Sequence, residues 1–174
     1  MKRIHTQVDV DAPAASVWQI LADFGAYAAW NPLIPRASGH AREGAEVDMF
    51  IAPPGLASKR TKVRLVAVDR ERELRWLGRF VLPKLLDGDH RYRLTPLSDD
   101  RVRVVQEECF DGLLVPLVAH MLVPRMTAAF EASNDALKTH AERTWRQGAR
   151  PASAAGALPS RPPGSQHRSA EPAA

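Results

Sequence analysis

The chain has 174 residues, enough for one domain with a true core and too few to suggest two. Hydrophobic residues make up 45% of it, and the longest apolar run, 113–123, is broken by Pro116 and His120 and is too short to cross a bilayer. The net charge of +4 is modest, half of it lies beyond residue 146 (Arg150, Arg161 and Arg168 against Glu171), and no basic cluster is interleaved with aromatics, so no nucleic-acid partner is expected.

Lys2 and Arg3 are not followed by an apolar stretch, which argues against a secretory signal. The single cysteine, Cys109, excludes an internal disulfide and a cysteine-based zinc site, so a reducing, cytoplasmic setting is expected. The six histidines are scattered without ligand spacing on a shared face, and no glycine-rich phosphate loop is present; neither metal nor cofactor is expected.

Ile4, Thr6, Val8 and Val10 alternate with His5, Gln7, Asp9 and Asp11, the period-2 pattern of a strand with one wet face. Pro13 stands where a helix can start without losing a hydrogen bond, and Val17, Ile20, Leu21 and Phe24 then recur at helical spacing. A short apolar turn follows and stops at Trp30-Asn31-Pro32. No second strand–helix unit succeeds this one, which excludes a doubly wound sheet and points to a sheet that wraps something.

Strands are predicted over 46–51, 59–69, 73–80, 89–94 and 101–111, joined by short turns, as in a curved antiparallel sheet. Thr61, Val63, Leu65 and Ala67 share one face, as do Leu74, Trp76, Gly78 and Phe80. The last element is a helix over about 114–144, opened by Pro116 and kinked by Pro124. Leu117, Val118, Met121, Leu122 and Val123 make its first half apolar all round, which predicts cover on every side. Its second half is amphipathic through Met126, Ala129, Ser133 and Leu137. From 147 to 174 the chain is Ala, Pro, Ser, Gly and Arg with one large aliphatic, Leu158, and is expected to be a disordered tail on a domain of residues 1–146.

This order of elements resembles the START/Bet v 1-like (SRPBCC) superfamily. Several local matches resemble its bacterial polyketide cyclase/dehydrase-like branch: Ala12-Pro13 with Val17-Trp18, Phe24 through Trp30-Asn31-Pro32, Glu73-Leu74-Arg75-Trp76, Gly88-Asp89-His90-Arg91-Tyr92, Glu108-Cys109-Phe110-Asp111-Gly112-Leu113, and 130–138. The resemblance implies an α+β helix-grip fold. In it a curved antiparallel sheet wraps a long C-terminal helix, with two short N-terminal helices and a hydrophobic-ligand cavity between sheet and long helix. It implies no reaction, because the superfamily mixes binders, carriers, regulators and some cyclases and other enzymes.

The hairpin around residues 96–100 sets a register in which Leu94 faces Val104, Tyr92 faces Gln106 and His90 faces Glu108. These residues share a face with Val102 and Phe110, while Arg91, Arg93, Arg103, Glu107 and Asp111 form the wet one. His90 and Glu108 are thus expected side by side on the concave surface, near Trp76. Three roles fit such a pair: an acid–base couple in which the carboxylate orients the imidazole, a polar anchor for a mostly apolar ligand, or a buried pair that fixes register. No nucleophile supports an enzyme, since Cys109 falls on the outer face.

Ligand contacts are expected from Trp30, Asn31, Trp76, His90, Tyr92, Gln106, Glu108 and Phe110, and from Leu117 and Met121 on the helix. Trp30 is either a core plug or a rim on which a ligand ring stacks. Met121 and Met126 read as core packing or as adaptable cavity lining, and His120 as a cavity or packing histidine. The apolar connection Phe80-Val81-Leu82-Pro83-Lys84-Leu85-Leu86 and the Pro53-Pro54-Gly55-Leu56 turn read as a cavity entrance or a patch for a membrane or protein partner, or as packing on the last helix. The leading expectation is a binding or transport protein for a lipid, polyketide or aromatic molecule, monomeric or homodimeric. The alternatives are an aromatase/cyclase-like enzyme using His90 and Glu108, and a regulatory or chaperone-assisting module.

Overall fold

The computed structural model describes residues 1–79 and 86–148. The tail expected over 147–174 lies outside them except for its first two residues, and so does the apolar connection except for Leu86, which is half-buried against the core.

Strand β1 (Lys2–Val10) leads into helix α1 (Ala14–Ala22) and a 3₁₀ turn (Phe24–Ala29). Then come β2 (Arg36–Ser38), β3 (Glu46–Ile51), β4 (Lys59–Asp69), β5 (Glu73–Arg79), β6 (Asp87–Ser98), β7 (Arg101–Asp111) and helix α2 (Val115–Gly148). The strands form one antiparallel sheet in the order β1-β7-β6-β5-β4-β3-β2. A seven-stranded sheet around one long helix is the helix-grip architecture that the element order predicts. β2 escapes sequence reading because three residues between a proline and a glycine carry no usable period.

Inward and outward positions follow the period-2 pattern closely. Ile4, Thr6 and Val10 of β1 are buried, as are Thr61, Val63 and Leu65 of β4 and Leu74, Trp76 and Gly78 of β5. The alternation predicted for β4 fails beyond Leu65, where a bulge lets Val66, Ala67 and Val68 all become half-buried. A second irregularity, between Pro96 and Ser98, sits where β6 runs on past its predicted end to the Asp99-Asp100 turn. These breaks let a strongly twisted sheet close around the helix.

Gly112, at φ 128°, turns the chain out of β7, and α2 begins three residues later. The second half of α2 buries Met126, Ala129, Phe130, Ser133, Asn134, Leu137 and Ala141. Polar contacts pin it to β1: Asn134 Nδ2 donates to Thr6 Oγ1 at 3.0 Å and Lys138 Nζ to the Asp9 carbonyl at 2.7 Å. The Asp11 amide donates to Glu142 at 3.0 Å.

The first half differs from expectation. Leu113, Leu117 and Met121, at four-residue spacing, are 79%, 70% and 42% exposed, and His120 is exposed too. Val115 and Ala119 of the same stretch are buried, so one side of it is covered and the side carrying Leu117 and Met121 faces solvent.

Candidate functional site

The predicted hairpin register holds: His90 pairs with Glu108, Tyr92 with Gln106 and Leu94 with Val104, all facing α2. On the next strand Trp76 pairs with His90, and its indole stacks on the imidazole with centroids 4.3 Å apart and planes 13° from parallel. Phe130 from α2 and Tyr92 meet the same ring edge-on at 5.1 and 4.9 Å. The imidazole is therefore clamped on all sides by aromatic surface, and both it and the Glu108 carboxylate are only 5% exposed.

His90 Nδ1 lies 2.7 Å from Glu108 Oε2, and its Nε2 lies 3.3 Å from the Gln106 amide nitrogen. Both ring nitrogens are thus engaged by protein groups. Glu108 keeps its second oxygen, Oε1, which makes no hydrogen bond to any described residue. Burial pushes the Glu108 carboxyl above the ordinary carboxylate range, and the hydrogen bond and charge of His90 only partly offset this.

Beside the pair lies a small closed cavity of about 20 Å³, room for roughly one water. Glu108 and His90 are its polar walls. Leu33, Ile34, Ile51, Val63, Met126 and Phe130 are among its apolar ones. Gly78 and Gly88, cross-strand partners, also face it, and two adjacent positions without side chains leave this space under Trp76. Larger depressions lie on the outside, such as one of about 540 Å³ beside β2 and β3. It is lined by Ala28, Met49 and Phe50 as well as by Arg36 and the ion-paired Asp48 and Arg60.

Of the expected ligand contacts, Trp76, His90 and Glu108 converge on the cavity. Tyr92 and Gln106 are buried behind His90, joined by a 3.0 Å hydrogen bond from Gln106 Nε2 to the Tyr92 hydroxyl. Phe110 is buried in the core opposite Gly88. Trp30 is a core piece, 7% exposed, packed edge-on against Tyr27 at 4.9 Å. Asn31 is structural: its Oδ1 accepts from the amides of Leu33 and Ile34 and from Ser133 Oγ, tying the 3₁₀ turn to α2. Leu117 and Met121 face solvent, so the methionine pair divides, with Met126 alone lining the cavity. Leu33, Ile34 and the two glycines carry no sequence signal for a site. Phe130 does, as a large apolar residue on the buried stripe of an amphipathic helix. Among the described residues no group of three or more potential metal ligands occurs, and no helix is long and apolar enough to cross a membrane.

A family model described as polyketide cyclase/dehydrase and lipid transport matches residues 1–142. The chain belongs to that family. No curated protein matches it significantly. Solved structures share its fold: the Zhui aromatase/cyclase from Streptomyces sp. R1128 is 21% identical with a TM-score of 0.72, covering 85% of this chain and 98% of that one. Norcoclaurine synthase from Thalictrum flavum is 17% identical with a TM-score of 0.63, over 82% and 95%. A START superfamily protein from Mycobacterium smegmatis is 17% identical with a TM-score of 0.61, over 83% and 97%. These solved structures share the fold of this chain.

Proposed function

We propose that the protein binds a small, mostly apolar molecule between sheet and α2, with the molecule's single polar group at Glu108. The observation that carries this reading is the uncommitted Glu108 oxygen in a cavity otherwise walled mostly by aliphatic and aromatic groups. A lipid, polyketide or aromatic molecule fits that chemistry. Its uptake requires the cavity to widen, because about 20 Å³ holds no organic ligand. Met126 has the rotamer freedom to yield, and the first half of α2 buries little that would be lost by tilting outward.

Native mass spectrometry of freshly purified protein tests this reading, with an added organic mass as the expected result. A consistently bare protein, whose melting temperature and tryptophan emission ignore a panel of neutral aromatic and acyl compounds, would sink it.

A second reading, an aromatase/cyclase-like enzyme, is favoured by the 2.7 Å contact between His90 and a carboxyl raised by burial. Such a pair can move a proton on a bound carbonyl substrate. Under that reading His90→Gln and Glu108→Gln abolish turnover while the fold persists. Turnover surviving both changes would eliminate it.

A further inference from the structure

We propose that Gln106 decides where the site keeps its proton: it holds His90 neutral with the hydrogen on Nδ1, so that a second proton taken up by the pair resides on Glu108 and is offered to the ligand. The inference rests on the placement of the ligand's polar group at Glu108 and names what that group must be, a hydrogen-bond acceptor.

The direction of the hydrogen bonds carries the argument, starting far from the site. The backbone amides of Leu33 and Ile34 can only donate, at 3.0 and 2.9 Å, so the atom of Asn31 they meet is its carbonyl oxygen. Ser133 Oγ, 3.3 Å from that oxygen, must then donate to it. The Tyr92 hydroxyl, which burial keeps un-ionised, neighbours Ser133 and accepts from Gln106 Nε2 at 3.0 Å, which turns the amide NH₂ of Gln106 inward. That same NH₂ stands 3.3 Å from His90 Nε2. An N–H cannot face another N–H, so Nε2 must be bare and the ring's one hydrogen lies on Nδ1, pointing to Glu108 Oε2.

An imidazolium at His90 is therefore opposed by the inward-facing amide of Gln106, which Tyr92 holds in place. The proton count of a His⁺–Glu⁻ pair is instead met by neutral His90 and protonated Glu108, whose Oε1 makes no protein hydrogen bond among the described residues. Among the described residues, the groups set around Glu108 are Ile4 on β1, Trp76 on β5, His90 on β6 and Phe130 on α2. Asp89, beside His90 but on the outer face, adds a repulsion that also favours the protonated carboxyl. A donor O–H in an apolar cavity recognises a neutral carbonyl. It does not suit a carboxylate or phosphate, for which the described lining offers no lysine or arginine.

Nitrogen NMR of histidine-labelled protein, with His90 assigned through His90→Gln, reads the tautomer without any ligand. The expected result is a bare Nε2 and a protonated Nδ1 across roughly pH 5–8. An imidazolium, or a hydrogen on Nε2, at neutral pH overturns the proposal. Gln106→Met removes the inward donor, and Tyr92→Phe, which keeps the volume, frees Gln106 to turn its oxygen towards His90. Both variants are expected to let Nε2 gain a hydrogen and to erase the carboxylic-acid C=O stretch that Glu108→Gln identifies in wild type. Loss of melting temperature with an unchanged tautomer would mean that Gln106 is merely structural. A naphthyl ketone should bind both variants roughly tenfold more weakly than wild type, the worth of one hydrogen bond. If no ketone binds any form while the tautomer is as expected, the ligand-binding reading fails and the proton assignment stands.

Discussion

Glu107 and Glu108 are neighbours in the chain and sit in different solvents. Glu107 points to the outer face of the sheet, where His5 lies 3.2 Å away, Arg93 3.0 Å and Arg91 3.9 Å. Its partial burial works to raise the carboxyl, but these cations outweigh it and hold Glu107 below the ordinary range. Glu108 points inward to one histidine among aromatic rings, and burial lifts it. The outer face continues as a cross-strand ladder, with Arg75 Nε on Asp89 at 2.8 Å and Arg103 Nε on Asp9 at 2.7 Å. The contrast separates a carboxylate that is already satisfied from one that is not. Only the second has bonding capacity left for a ligand.

The largest expected effects lie on the inner face. Phe130→Ala removes the ring against His90 and should cost about 3–5 kcal/mol in urea unfolding, as buried aromatic truncations do. Met126→Ala should cost about 2–4 kcal/mol and, by enlarging the cavity, strengthen binding of naphthyl compounds in a fluorescence titration.

The two carboxyls also bend the stability curve in opposite directions. Asp9, Glu107 and Glu142 are depressed, so their contribution is present above the ordinary carboxylate value and lost as pH falls through their lower folded values. Glu108 is raised, so stability falls as pH climbs from the ordinary carboxylate value to its higher folded one. Urea unfolding across pH should show that fall in wild type and not in Glu108→Gln. An identical pH profile for the two proteins would contradict the shift.

Smaller still, Glu107→Gln should cost about 1 kcal/mol or less, an effect that shrinks in salt. Leu117→Ser, on the solvent-facing side of α2, should stay within about 0.5 kcal/mol of wild type. A loss of several kcal/mol there would show that this ridge is covered in solution.

Much of this arrangement is legible in the residues because alternation in β6 and β7 is so clean. Arg91, Arg93, Arg103 and Glu107 cannot all face inward, so Tyr92, Gln106, His90 and Glu108 must, and the turn fixes which faces which. The face of Trp76 follows in the same way. Three things were out of reach. Exposure of Leu117 and Met121 depends on which side of α2 is covered, which an all-round apolar pattern does not encode. The cavity owes its place to the pairing of Gly78 with Gly88, and two glycines ten residues apart announce nothing until their strands are aligned. Which of His90 and Glu108 is free for a ligand turns on Gln106 and Tyr92, and the direction of a hydrogen bond leaves no mark in a residue pattern.

The most direct test of the account compares two probes of one shape, a naphthyl methyl ketone and ethylnaphthalene, titrated by fluorescence into wild type and Glu108→Leu. The account predicts roughly tenfold tighter binding of the ketone by wild type and no preference in the variant. Equal affinity of wild type for the two probes, or a ketone preference that survives in Glu108→Leu, would contradict a ligand anchored at Glu108.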